Sequence, residues 1–385
     1  MLTTLAIENY RSLRHLVVPL SALTVVTGAN GSGKSSVYRS LRLLAEASRN
    51  GAIAALAREG GLPSTLWAGP ETITRDMRDG HVPVQGTRRG GPVGLRLGFA
   101  SDESSYSIEL GLPVTGGSTM FALDPEIKVE AAWTGALLRP GTLQVQRNGP
   151  SVRLRDAHGD WTHHDHKLRP YDSMLSEFAD PRNAPELLAL REQMRSWRFY
   201  DHFRTDAGAP ARLPQLGTRT PALAADGSDL AAALQTVREL GHGDLAGAVD
   251  AAFPGTSLEI DDRDGWFSLG MRQPGMLRAL SAAELSDGTL RYLLWAAALL
   301  SPRPPALLVL NEPETSLHPE LVEPLAGLII AAARESQVIV VSHSAALIAA
   351  LEATASRIEL EKRVGETTVV GQGALDEPAW SWAKR

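Results

Sequence analysis

The chain has 385 residues, no cysteine, an ordinary apolar share of 43% and a formal net charge of -6. That length buries a sizeable core, and the charge gives no global basic signature, so a nucleic-acid contact would have to come from a local patch. The lack of thiols excludes disulfides and thiolate metal sites and fits a reducing compartment.

The N-terminal residues lack the basic and long apolar regions of a secretory signal. The richest apolar run, 293–310, is broken by Ser301-Pro302-Arg303-Pro304-Pro305 and cannot span a bilayer. A cytoplasmic protein without membrane contact is expected.

Residues 2–7 and 16–20 predict two short strands around the polar bend Glu8-Asn9-Tyr10-Arg11-Ser12. Tyr10 and Arg11 are candidates for the base of a nucleotide by stacking and cation–π contact, with a plain surface turn as the alternative.

Leu23-Thr24-Val25-Val26-Thr27 then runs into Gly28-Ala29-Asn30-Gly31-Ser32-Gly33-Lys34-Ser35-Ser36, and helical spacing follows from Val37. Buried strand, glycine turn and helix start are the context that a phosphate-binding loop requires. The glycines let successive N–H groups curl around phosphate oxygens, and the helix start adds partial positive charge. Lys34 would reach the β- and γ-phosphates and the Ser35 hydroxyl would take one Mg²⁺ position. ATP with Mg²⁺ is the expected ligand pair.

Residues 52–58 continue as helix. From 93 to 161 the period changes to two, with turn signals at Gly116-Gly117, Asn148-Gly149 and His158-Gly159-Asp160, which predicts an antiparallel meander. His158, His163, His164 and His166 crowd one stretch, but their spacing matches no regular ligand pattern, and a solvated loop is the reading preferred over a metal site. Residues 185–203 read as a helix with the aromatic end Trp197-Arg198-Phe199-Tyr200-Asp201-His202-Phe203-Arg204. Such a cluster could bind single strands, yet a core edge covered by arginine stems is the better reading. Residues 205–223 read as an irregular excursion, 230–240 and 245–253 as helices, and 258–260 with 266–269 as a hairpin.

Pro305-Ala306-Leu307-Leu308-Val309-Leu310 predicts a buried strand ending in Asn311-Glu312-Pro313-Glu314. In phosphate-loop NTPases such a strand places a carboxylate at the metal and the attacking water. Glu312 is the candidate general base, and Asn311 stands where an aspartate would hold the metal's water shell. A further strand, 337–341, ends in Ser342-His343-Ser344. His343 could contact a γ-phosphate or be a satisfied loop histidine. Ser286 or Asp287 would cap the apolar helix from Leu290.

Together these pieces resemble the ATP-binding-cassette heads of the RecF/SMC type, closest to compact bacterial RecF-like ATPases and the ATPase half of overcoming-lysogenization-defect proteins. The resemblance is carried by Glu8-Asn9-Tyr10-Arg11-Ser12-Leu13, the phosphate loop, Leu285-Ser286-Asp287-Gly288-Thr289, Asn311 to Glu314 with Leu317-His318-Pro319, and Ser342-His343-Ser344. It implies one α/β phosphate-loop NTPase head over 1–385 with a mixed sheet. Its parts would be strands and phosphate loop (1–60), an antiparallel meander (90–165), a mostly helical signature subdomain (170–300), and a lobe with the second acidic strand and the switch histidine (301–360).

It also implies a homodimer in which each ATP lies between one copy's phosphate loop (Gly28, Asn30, Gly31, Ser32, Gly33, Lys34, Ser35, Ser36, with Arg11 nearby) and the other's Ser286-Asp287-Gly288. Glu312 would polarise water, His343 would sense the γ-phosphate, Lys34 would assist catalysis, and Ser35 and Asn311 would face Mg²⁺. The switch would act in DNA maintenance or phage defence, with DNA or a further protein as partner. Rival readings are an ATP-gated module with little turnover and a transporter motor subunit. The chain departs from the pattern at Asn311, in the missing metal-contacting glutamine (Gln85 is too early), and in having no long coiled coil. It also leaves no length after Leu360 for a Toprim nuclease.

Overall fold

The computed structural model describes residues 1–78, 81, 94–113, 120–156, 158–164, 167–178, 182, 184–241, 243–373 and 375–384. The turn expected at Gly116-Gly117, together with Gln85 and His166, lies outside them. The chain divides into two compact units, each built from separated stretches: Met1–Ser21, Val26–Trp197 and Ile358–Arg385 form the first, Ala22–Val25 and Arg198–Arg357 the second.

The first unit holds an eight-stranded antiparallel sheet in the order Leu13–Pro19, Leu2–Tyr10, Leu95–Ser101, Ser104–Gly111, Glu126–Thr134, Leu143–Asn148, Ser151–Arg155 and Trp161–His163. The expected meander is therefore present, and the two N-terminal strands extend it rather than forming a separate pair. Alternation sends Leu95, Leu97, Phe99, Tyr106, Ile108 and Leu110 inward, each at most 2% exposed. Asn148-Gly149 makes the tight hairpin, with Asn148 facing Ser151 and Gly149 at φ 55°. A charged pair is buried beneath it: Arg147 Nη1 lies 3.0 Å from Glu130 Oε2, both side chains fully covered. The pair is tolerated because further hydrogen bonds satisfy both partners. Tyr106 Oη, Ser173 Oγ and Met174 N donate to Glu130, and Arg147 donates to Gly149 O and Arg169 O.

In the second unit the parallel strands Arg198–Tyr200, Leu307–Asn311 and Gln337–Val341 lie in that order, with the beginning of Leu23–Gly28 next in line. Leu307–Asn311 and Gln337–Val341 are nearly continuous apolar runs, as parallel strands covered on both faces require. Helices Leu230–Leu240, Asp287–Leu299 and Val322–Ala332 share their core through Leu234, Leu293, Trp295, Leu325 and Ile329. The helix expected over 185–203 ends earlier: it runs Pro185–Ser196, and Arg198–Tyr200 is a strand paired with Leu308 to Leu310. Phe199 and Tyr200 suit a sheet better than a fourth helical turn. Tyr200 and Phe203 are 1% and 2% exposed, and both pack on Trp295. Trp197, Tyr200 and Phe203 of the aromatic cluster are therefore core, as the preferred reading expected.

Candidate functional site

The phosphate loop begins where Leu23–Gly28 leaves the sheet and ends at the helix Lys34–Ala47. Gly28 and Gly33 have φ 143° and 110°. A Cβ at Gly28 would stand 2.2 Å from Leu360 O, and one at Gly33 would stand 2.5 Å from Thr367 Oγ1. Only glycine fits either place. No side chain caps the helix; Ser36 N and Val37 N turn back to Gly33 O at 2.9 and 3.1 Å, and the helix start presents its partial positive charge to an anion.

Lys34 is 5% exposed, and its Nζ donates to Gly28 O at 2.6 Å and Ala29 O at 3.1 Å. A buried ammonium resting on carbonyls alone is a strong site for phosphate charge. Ser32 Oγ is buried and meets no hydrogen-bond partner among the described residues. Asn30, Gly31 and Ser35 are exposed at the loop mouth, while Ser36 is buried. The loop fits a polyphosphate on these observations.

Two features near the loop revise the sequence reading. Thr367 is fully buried; its hydroxyl donates to Ser32 O at 2.7 Å and lies 2.8 Å from Ser12 Oγ, and its N–H donates to Ser12 O. The hairpin of Ser356–Arg363 and Glu366–Val369 thus holds the loop's back, which nothing in residues 361–369 announced. The bend at Asn9 to Arg11 takes positive φ at both ends, 62° and 54°. Tyr10 is fully buried, and its hydroxyl donates to Glu59 at 2.7 Å. Burial, then Glu59, pushes that hydroxyl well above its ordinary pKa. Its ring is therefore closed to a nucleotide base, which corrects the stacking idea. Arg11 pairs with the same Glu59 at 2.5 Å and remains 30% exposed.

In the second unit, the strand Leu307–Asn311 delivers Glu312 in a left-handed conformation, φ 48°. A non-glycine residue held there is strained, and such strain gathers at functional tips. Glu312 N–H donates to Val341 O at 2.7 Å, tying this tip to the end of Gln337–Val341. His343 Nδ1 lies 3.4 Å from Glu312 Oε1 and 3.9 Å from Glu314 Oε1. Glu314 is buried and accepts from Ser342 Oγ at 2.6 Å and Ser344 N at 3.2 Å. Glu312 and His343 are thereby brought together, both half exposed. Asn311 Nδ2 donates to Asp201 Oδ1 at 2.6 Å.

Ser286 caps the helix Asp287–Leu299 by accepting from Thr289 N at 3.1 Å, and Ser286 and Asp287 are exposed at its start. Gly288 sits against the Ser316 to His318 backbone, where a Cβ would lie 3.4 Å from Ser316 O. Arg212, which sequence reasoning missed inside an irregular excursion, reaches beneath this segment. It donates to Ala282 O and Leu285 O at 2.8 Å and pairs with Asp287 at 2.7 Å. Arg291 donates to Thr315 O at 2.6 Å and Phe203 O at 3.0 Å. Beside them the Arg278 pair and the Ser281 N–H hold Glu284 down at about 2. No motif flags an arginine that binds backbone carbonyls. The hint was only that residues 205–223 keep arginines among glycines and prolines.

Gly28 to Ser36 and Arg11 belong to the first unit; Ser286 to Gly288, Asn311, Glu312 and His343 belong to the second. Among the described histidines of the 158–166 stretch, His164 lies edge-on to Phe178 with centroids 4.5 Å apart. No group of three or more metal-ligating side chains occurs among the described residues, and none of their helices is long and apolar enough to cross a membrane.

A family model described as "AAA domain, putative AbiEii toxin, Type IV TA system" matches residues 23–349. No curated protein matches the chain. Among solved structures, the chain is similar to an SMC head bound to the C-winged helix domain of ScpA, at 14% identity and TM-score 0.51, with 96% of each chain covered. SMC heads of Thermotoga maritima (15% identity, TM-score 0.44, covering 97% of this chain and 99% of that one) and Pyrococcus furiosus (12%, 0.47, covering 96% and 95%) align over comparable lengths. The first of these likenesses shows the fold: a mixed α/β phosphate-loop NTPase head.

Proposed function

The chain belongs to the AAA-domain family described as putative AbiEii toxin of Type IV systems, and from that premise we propose an ATP-hydrolysing switch that closes as a homodimer. The observation that carries the hydrolytic part is the strained Glu312 tip with His343 Nδ1 at 3.4 Å. Glu312 accepts the proton of the water that attacks the γ-phosphorus, the bond to ADP breaks, and inorganic phosphate leaves. His343 donates to the γ-phosphate oxygens. Lys34 and the amides around Gly31, Ser32 and Gly33 neutralise the polyphosphate, with Asn30, Gly28 and Ser36 shaping the loop and Arg11 at its flank. Ser35 and Asn311 would hold Mg²⁺, whose chemistry is to draw charge from the phosphates.

Exposed Ser286 and Asp287, with Gly288, would cover the ATP of a second copy, so binding closes the dimer and hydrolysis opens it. DNA maintenance or phage defence, with DNA or another protein as the controlled partner, is the role this switch would serve. Asn311, neutral where a carboxylate is usual, favours a second reading, an ATP-gated module with little turnover. Molar mass in solution with and without ATP·Mg²⁺, together with phosphate release, separates the two. A hydrolytic switch gives an ATP dimer that persists in Glu312→Gln while phosphate release falls about 10²-fold or more. An unchanged dimer lifetime and equal phosphate release in both proteins point to the gated module.

A further inference from the structure

Asp201 directly follows the strand Arg198–Tyr200, and Asn311 is the last residue of its parallel neighbour Leu307–Asn311. Tyr200 pairs with Leu310 in register, so the next residue on each strand emerges at the same edge, and Asn311 Nδ2 donates to Asp201 Oδ1 at 2.6 Å. A carboxylate only accepts hydrogen bonds, so the amide nitrogen must face Asp201 and the amide oxygen must turn away. The contact therefore decides which end of the asparagine is which. Asn311 Oδ1 is buried and meets no donor among the described residues, and a buried acceptor in that state is unfavourable unless something donates to it. Glu312 follows directly in the chain.

We propose that Asp201 is the acidic positioning residue of the cation site. It orients Asn311 with Oδ1 toward the water shell of the divalent ion and supplies, one hydrogen bond behind, the negative charge that asparagine lacks. The inference rests on the ATPase reading above and deepens it. A carboxylate bonded to a cation-facing side chain fixes that side chain's orientation and strengthens its attraction for the ion. In this sequence the acidic function has moved one strand sideways, from position 311 to position 201.

The test uses a Glu312→Gln background, so that ATP is not consumed, and titrates Mn²⁺ as a spin probe by electron paramagnetic resonance in the presence of ATP. Affinity for ATP alone is measured in EDTA. Asp201→Asn should weaken Mn²⁺ binding about tenfold and leave ATP affinity in EDTA within about twofold, since no phosphate contact changes. The amide introduced by Asp201→Asn can still hydrogen-bond Asn311, so the thermal midpoint should hardly move. Asn311→Asp alone puts a carboxylate at the cation directly and should keep Mn²⁺ affinity within about threefold of the parent. The exchange Asp201→Asn with Asn311→Asp should bring Mn²⁺ affinity back to within about threefold of the parent.

Unchanged Mn²⁺ affinity in Asp201→Asn, or an exchange variant that binds Mn²⁺ no better than Asp201→Asn alone, overturns the proposal and leaves Asp201 as a strap. A parent that binds ATP in EDTA but takes up no Mn²⁺ beside it, or that binds no ATP, overturns the ATPase reading, and the proposal with it.

Discussion

Single side chains set the shape of the phosphate loop more tightly than its glycines alone would. Thr367 meets Ser32 O, Ser12 Oγ and the space that a Cβ at Gly33 would need. Replacing it with valine keeps the shape but leaves Ser32 O and the Ser12 hydroxyl without their partner. Each lost buried hydrogen bond costs about 1–1.5 kcal/mol, and the loop bears that cost directly. Thr367→Val should weaken ATP binding about 5–10-fold with little change in the affinity of the Glu312→Gln dimer once ATP is saturating. Competition with a fluorescent nucleotide measures the first effect, and molar mass at saturation checks the second. At this scale Gly28 and Lys34 stand out in the sequence by the fixed spacing of the loop, and Glu312 and His343 by their places just after apolar strands. Thr367 and Asp201 do not, because a hydroxyl or carboxylate has no motif until the fold brings its partner from across the chain.

Among elements, the stretch from Asp201 to Arg212 ties together pieces far apart in sequence. Asp201 holds Asn311, Thr205 O accepts from Arg212 Nε, Thr205 Oγ1 accepts from Arg291, and Arg212 gathers Ala282 O, Leu285 O and Asp287. The helix start at Ser286 is thus braced from below by one buried guanidinium, its side chain 7% exposed. Arg212→Ala leaves these carbonyls with no donor in its place and should destabilise the second unit by about 2–4 kcal/mol. Hydrogen exchange resolves where: amides of residues 282–289 should exchange at least about tenfold faster while those of Gln337–Val341 change little. Equal protection of residues 282–289 in both proteins would show that the brace is redundant. Sequence periodicity reached the helices and strands around this stretch, but its own lack of pattern hid it, since irregular backbone is specified by side-chain-to-carbonyl bonds rather than by period.

Over the whole molecule, the chain starts in the first unit, crosses briefly into the second at Ala22–Val25, returns for Val26–Trp197, builds the rest of the second over Arg198–Arg357, and comes back a last time at Ile358–Arg385. That final return covers part of the antiparallel sheet. Trp380 packs on Trp133 with centroids 5.6 Å apart, and its indole takes the space beside Gly98. Gln146 Nε2 donates to Lys384 O. Removing residues 371–385 should uncover Trp133 and lower the first unit's thermal midpoint by roughly 5–10 °C. An unchanged midpoint in the shortened chain would mean that the tail only lies on the surface.

What the sequence determined by itself was whatever depends on neighbours in the chain. The phosphate loop follows from glycines at fixed spacing after a buried strand, the meander from period-two alternation, the Asn148-Gly149 hairpin from its turn chemistry, and the capped helix at Ser286 from one hydroxyl at the right offset. Tertiary structure decided whatever depends on partners distant along the chain. It buried Tyr10 against Glu59, turned residues 198–200 into a strand by offering them Leu308 to Leu310, set Thr367 behind the phosphate loop, and placed Asp201 beside Asn311. The physical reason is one of range. Local sterics and periodicity act over a few residues and leave a readable signature, whereas the partner of a buried hydroxyl, ring or carboxylate is fixed only when the sheet order brings two distant strands to the same edge.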